Sequence, residues 1–171
     1  MTSRNLRRTV AATAGAITAC STVLALPATA SAAPGEITDQ LLIAEAEAHG
    51  ARVSGGWAVF PNGMEASLGP AAYSDCPNNY VCLFENASWG GRLIRWYNAN
   101  TAISDLGLYT FNDELSSWVN NSPYDARWFY NSSYGGTTRC MNAESGSPSS
   151  LGGDDDKASS FRVYTDAVAC T

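Results

Sequence analysis

Phe84-Glu85-Asn86-Ala87-Ser88-Trp89-Gly90-Gly91 returns 45 residues later as Phe129-Tyr130-Asn131-Ser132-Ser133-Tyr134-Gly135-Gly136, with an aromatic, a second aromatic and a glycine at offsets zero, five and seven. Each copy reads as the tip of a folded β-hairpin, where glycine supplies a positive φ and a ring covers the fold. A second motif follows each copy: Asn112-Asp113-Glu114-Leu115-Ser116-Ser117 after the first, Asp155-Asp156-Lys157-Ala158-Ser159-Ser160 after the second. Two motifs recurring in one order mark an internal repeat. A serine hydroxyl from the later strand can bond the bare backbone of the hairpin fold.

Outward from these motifs the chain alternates short strand-like runs with Gly, Asn, Ser and Asp. Residues 80–84 and 93–97 flank the first fold, and 115–119 follow its acidic-serine motif; 127–131, 136–141 and 159–164 belong to the second repeat. Regular short strands of this kind predict a mainly β domain, a sandwich of two Greek-key motifs. Trp89, Trp96, Trp118, Trp128 and Phe161 are its candidate core rings, and residues 146–153 read as an exposed loop.

Before this domain, which spans 76–171, residues 33–75 form an N-terminal extension of different character. Leu41, Ala44 and Ala48, with the neighbouring Leu42 and Glu45, follow a helical period over 38–49, with Thr38 as cap and Gly50 as stop. Trp57-Ala58-Val59-Phe60, turning at Pro61-Asn62-Gly63 into 64–68, predicts a hairpin. The extension reads equally as a packed addition, a mobile arm or a removable pro-segment. His49 closes the helix, where a cation meets the negative end of the helix dipole.

Residues 1–32 have the pattern of a secretory signal peptide: Arg4, Arg7 and Arg8, then a largely apolar or small run, then Ala30-Ser31-Ala32 as cleavage signal. Its removal leaves seven basic against sixteen acidic residues, a net charge of −9. Nucleic acid and anionic membranes are thereby poor partners. Cys76, Cys82, Cys140 and Cys170 remain, an even count that in an extracellular chain implies two disulfides. Three pairings can be drawn. Cys76 with Cys82 and Cys140 with Cys170 is favoured, the first tying a short loop to a strand and the second tying the chain end to the second repeat.

Catalysis finds little to work with. There is one histidine, and no histidine-rich zinc motif, nucleophile elbow or phosphate loop. Asp113 with Glu114, and Asp155 with Asp156, suit cation ligation or solvated charge better than acid–base pairing. The chain reads as a non-enzyme.

The repeated motifs resemble those of the βγ-crystallin superfamily, over the whole of 76–171. Cys76-Pro77-Asn78-Asn79-Tyr80-Val81-Cys82-Leu83-Phe84-Glu85-Asn86, with Phe111-Asn112-Asp113 leading into Ser116-Ser117-Trp118-Val119-Asn120-Asn121, is similar to the secreted bacterial metalloproteinase inhibitors of that fold. The resemblance implies a monomeric, extracellular inhibitor of thermolysin-like zinc endopeptidases, acting through a substrate-like loop pinned by a disulfide. By similarity the reactive bond would be Cys140-Met141, with Met141 entering the enzyme's primary pocket; the residues themselves read equally well with Met141 facing the core of its strand. The superfamily also implies Ca2+, held by Asn112, Asp113 and Ser116 at one site and by Asp155, Asp156 and Ser159 at the other. A calcium-binding structural or surface-binding module without inhibitory activity is the alternative.

Overall fold

The computed structural model describes residues 34–97, 99–146, 150–167 and 170; the targeting segment at 1–32 lies outside them, as do Thr171 and positions 147–149 of the expected exposed loop. Among the described residues one α-helix, α1 (Pro34–Ala48), precedes eleven short strands. These are β1 (Arg52–Ser54), β2 (Trp57–Val59), β3 (Glu65–Ser67), β4 (Val81–Asn86), β5 (Gly90–Trp96), β6 (Ala102–Ile103), β7 (Ser117–Asn120), β8 (Ala126–Asn131), β9 (Gly135–Met141), β10 (Ser145–Gly146) and β11 (Ser160–Val163).

The strands make two antiparallel sheets, ordered β1-β2-β3-β5-β4-β7-β10 and β6-β11-β8-β9. Each repeat supplies a hairpin, a short third strand and a fourth strand, and the third crosses over. β6 of the first repeat pairs with β11 of the second, while β10 of the second pairs with β7 of the first. The expected pair of Greek keys is thus built with exchanged third strands.

Alternation along the strands sets the layers. Val81 and Leu83 of β4 and Ile94 and Trp96 of β5 point inward, meeting Ala126, Trp128, Met141, Phe161 and Val163 in one core. Trp96 stacks on Phe161 at 4.8 Å between ring centroids, joining the two sheets. Cys82, Phe84, Leu93 and Val119 face the other way and form a second buried cluster with Cys76.

The extension is part of the larger sheet. β3 pairs with β5, placing Glu65 opposite Arg95 and Ala66 opposite Ile94. Ala46, Ala51, Ala58, Phe60, Met64 and Ala66 are buried in the same core as the repeats. The Ser67 hydroxyl accepts the buried Leu93 N–H at 2.8 Å. Arg95 lies 3.8 Å over the Trp57 ring and ion-pairs with Glu65 at 2.6 Å.

Two expectations for this segment are corrected. The helix begins at Pro34 rather than Thr38, since proline's fixed φ and missing N–H suit a first helical position. Its inward face is Ala46 with half-buried Leu42 and Ile43, and Leu41 is 67% exposed. Both stripes satisfy a helical period, and the hairpin beneath the helix selects between them.

Candidate functional site

The two hairpin tips are superimposable in their bonding. In the first, Ser88 and Trp89 adopt positive φ, and the Ser117 hydroxyl donates to the Asn86 carbonyl at 2.7 Å while accepting the Trp89 N–H at 3.0 Å. In the second, Ser133 and Tyr134 take the same conformation, and Ser160 bonds Asn131 at 2.7 Å and Tyr134 at 3.0 Å. Gly91 and Gly136 have φ of +72° and +73°, and a Cβ there would come within 2.7 and 2.9 Å of Asn86 and Asn131. That approach is why the repeat carries glycine at offset seven.

The acidic-serine loops lie against one another, and the structure groups their side chains differently from the expectation. Ser116 donates to Asp156 at 3.3 Å, and Ser159 to Asp113 at 3.2 Å. Each prospective site therefore takes its hydroxyl from one repeat and its carboxylate from the other. The backbone is reciprocal too: Asp113 N–H bonds the Ala158 carbonyl, and Asp156 N–H bonds the Leu115 carbonyl. Ser159 also donates to the Tyr130 carbonyl at 2.9 Å. Asn112 turns its amide to the Asp113 carboxylate at 2.8 Å, and a buried Asp155 oxygen has no protein partner.

The donors fit a hard cation, being carboxylate, hydroxyl and carbonyl oxygens throughout. Among the described residues no three His, Cys, Asp or Glu side chains gather as a metal group, so each crossed site offers few charges. Around the first, burial raises the Glu114 carboxyl above its ordinary value, and the negative charge of Glu85 adds to this. Beside the second, Arg139 ion-pairs with Asp154 at 2.6 Å and Tyr130 donates to the same carboxylate. These contacts, Arg139 first, hold Asp154 down at about 2.

Both favoured disulfides form, Cys76 with Cys82 and Cys140 with Cys170. They end differently. Met141 closes β9 opposite Ala126, fully buried in the central core. A side chain so placed would have to leave the core before Met141 could enter another protein's pocket. Beyond it, Asp125 is buried and accepts the Ala143 N–H at 2.8 Å and the Cys170 N–H at 2.9 Å, a tie that the sequence did not announce.

The 76–82 loop, by contrast, is presented outward. Pro77, Asn78 and Asn79 are exposed, and the disulfide closes the loop from behind. Asn121, next after β7, braces it: its side-chain amide donates to the Cys76 carbonyl at 2.9 Å, its N–H to the Tyr80 carbonyl at 2.8 Å, and its carbonyl accepts the Asn79 N–H at 2.9 Å. Arg95 donates to the Asp75 carbonyl at 2.6 Å. No periodicity marks Asn121; the hint is its place at the end of the motif Ser116-Ser117-Trp118-Val119-Asn120-Asn121.

Residues 69–141 match the model of peptidase inhibitor family I36. Solved structures similar to the chain include one concerned with the evolution of the eye-lens βγ-crystallin domain fold, at 20% identity and TM-score 0.48, covering 56% of this chain and 95% of that one. A βγ-crystallin from Ciona intestinalis is 29% identical, covering 49% of this chain and 98% of its own, with TM-score 0.43. A βγ-crystallin domain from Clostridium beijerinckii is 24% identical, covering 49% and 95%, with TM-score 0.42. No curated protein matches the chain significantly.

Proposed function

We propose that this chain, whose residues 69–141 match the model of peptidase inhibitor family I36, is a secreted, monomeric inhibitor of thermolysin-like zinc endopeptidases. The family match is the observation that carries this reading. The rigid, disulfide-tied surface supports it physically, because a segment ordered beforehand loses little conformational entropy on docking. Secretion is supported by the signal pattern at 1–32 and by the two disulfides. Among the described residues no helix is long and apolar enough to cross a membrane. An inhibitor family and a crystallin fold both speak for a non-catalytic protein.

The test is titration of the oxidised protein lacking 1–32 into thermolysin, following cleavage of a small peptide substrate. Stoichiometric loss of activity is expected; full activity at excess protein would remove the reading.

A second property is favoured by the crossed serine–aspartate pairs. Asp156 with Ser116, and Asp113 with Ser159 and the Tyr130 carbonyl, would hold Ca2+, which supplies a positive charge binding the two repeats to one another. Millimolar calcium should then raise the melting temperature of chelated protein, and Asp113→Asn with Asp156→Asn should abolish the rise. An unchanged melting temperature in the parent protein would exclude a stabilising calcium site.

A further inference from the structure

We infer that the two crossed cation sites are not equivalent: the one closed by Ser116 and Asp156 takes the divalent cation, while the one closed by Ser159 and Asp113 is already balanced by the protein's own positive charges. This rests on the calcium reading above and assigns the site that performs it. Laying one acidic-serine motif on the other puts Asn112 on Asp155, Asp113 on Asp156 and Glu114 on Lys157. The copies keep the aspartate and the serine, and differ in charge on both sides of that aspartate.

Acidic groups gather on the Ser116 side. Glu114 follows Asp113 in the chain, yet its carboxylate feels Glu85 of the first hairpin most strongly among the charged groups, and Asp156 more than Asp113, with Arg92 opposing. Arg92 is itself engaged by Glu85 and by Thr110. Asp155, directly before Asp156, keeps a buried oxygen without a protein partner. Affinity for a hard divalent cation grows with the negative charge its oxygen ligands bring.

The Ser159 side is the reverse. Lys157 sends its ammonium to the Gly153 carbonyl and lies 5.4 Å from the centre of the Tyr130 ring, and Arg139 lies 5.6 Å from the same ring while pairing with Asp154. Tyr130 is the residue whose carbonyl accepts the Ser159 hydroxyl. Asp113 is committed twice, its Oδ1 to Ser159 and its Oδ2 to the Asn112 amide. Asp155, which stands where the other copy has Asn112, is a carboxylate with no N–H to give Asp156.

The test is a calorimetric titration of calcium into chelated, oxidised protein lacking 1–32. One strong site is expected. Asp156→Asn should remove it, and Asp113→Asn should leave its affinity within about twofold. Lys157→Glu, at an exposed position, should strengthen the second site by about tenfold or more, so that it becomes measurable beside the first. The thermal transition in chelator checks that each variant is folded. Two sites of equal affinity in the parent, a strong site lost with Asp113→Asn but kept with Asp156→Asn, or no gain with Lys157→Glu would each overturn the inference and leave calcium binding standing. A parent protein that takes up no calcium would overturn both.

Discussion

The two repeats share an interior and differ in how they meet the outside. Their hairpins are in the same register: Val81 faces Trp96 as Ala126 faces Met141, and Cys82 faces Arg95 as Arg127 faces Cys140. The first pair of each looks into the core. The second pair looks away from it, and there cysteine and arginine have changed strands. In the first repeat the cysteine on β4 fastens the entry loop that begins the domain at Cys76, and Arg95 on β5 grips Glu65 and Trp57 of the extension. In the second, the cysteine on β9 fastens the chain end. Equivalent positions thus keep the core symmetric while their partners make one repeat a covered strand, β5, and the other an open edge, β9. Symmetry here belongs to packing, and any function must be sought where it fails.

That contrast breaks most severely if β5 loses its cover. Deleting residues 33–68 removes Ala46, Ala58, Phe60, Met64 and Ala66 from the core and bares the β5 edge. The expected result is loss of any cooperative thermal transition; a deletion variant that melts cooperatively near the parent temperature would show the extension to be dispensable.

Next in size are the paired core positions. Trp96→Ala should cost about 3–5 kcal/mol and Met141→Ala about 2–5 kcal/mol in denaturant titrations. Met141→Ala protein that remains folded should inhibit as the parent does. A selective loss of inhibition with unchanged stability would place Met141 on the contact surface.

The serine ties sharpen the comparison. Ser117→Ala and Ser160→Ala each remove two bonds, one given to a hairpin carbonyl and one taken from a hairpin N–H, so each should destabilise by roughly 1–3 kcal/mol, and by similar amounts. A clear inequality would mean that the repeats share geometry without sharing energetics.

The smallest effect is the pH response of Asp154, which only the second repeat has. Its carboxyl sits at about 2 in the fold against an ordinary 3.8, so its contribution is complete above the ordinary value and fades as pH falls through 2. Asp154→Asn should flatten the loss of stability between pH 4 and pH 2. The pair is partly exposed, Arg139 more than Asp154, and salt screens it, so the difference should shrink at high ionic strength.

Much of this was legible in the sequence, because the signals were local. The offset-seven glycines and the closing serines stand where backbone conformation and hydrogen bonding demand them, and the short strands follow from alternation. The same repeat also bears on the burial of Met141. A 45-residue offset places it on Trp96, already a core candidate, so its burial could have been read by alignment of the copies. Other features were not accessible. A repeat tells which residues recur, but not whether Ser116 faces its own aspartate or that of the other copy. Docking of β3 onto β5 and bracing of the 76–82 loop by Asn121 depend on contacts between segments distant in the chain, which leave no period behind.

The exchange of third strands constrains kinetics as well as shape. Because β6 needs β11 and β10 needs β7, neither repeat can complete its own sheet, and the half formed first has no stable resting state. The sheets close only when Phe161 and Arg162 reach Ile103 and Ala102, some sixty residues back along the chain. Such distant pairings are slow to find, on the order of milliseconds to seconds, and once found they commit both halves together. Unfolding should therefore follow a single exponential, with the two repeats lost as one event.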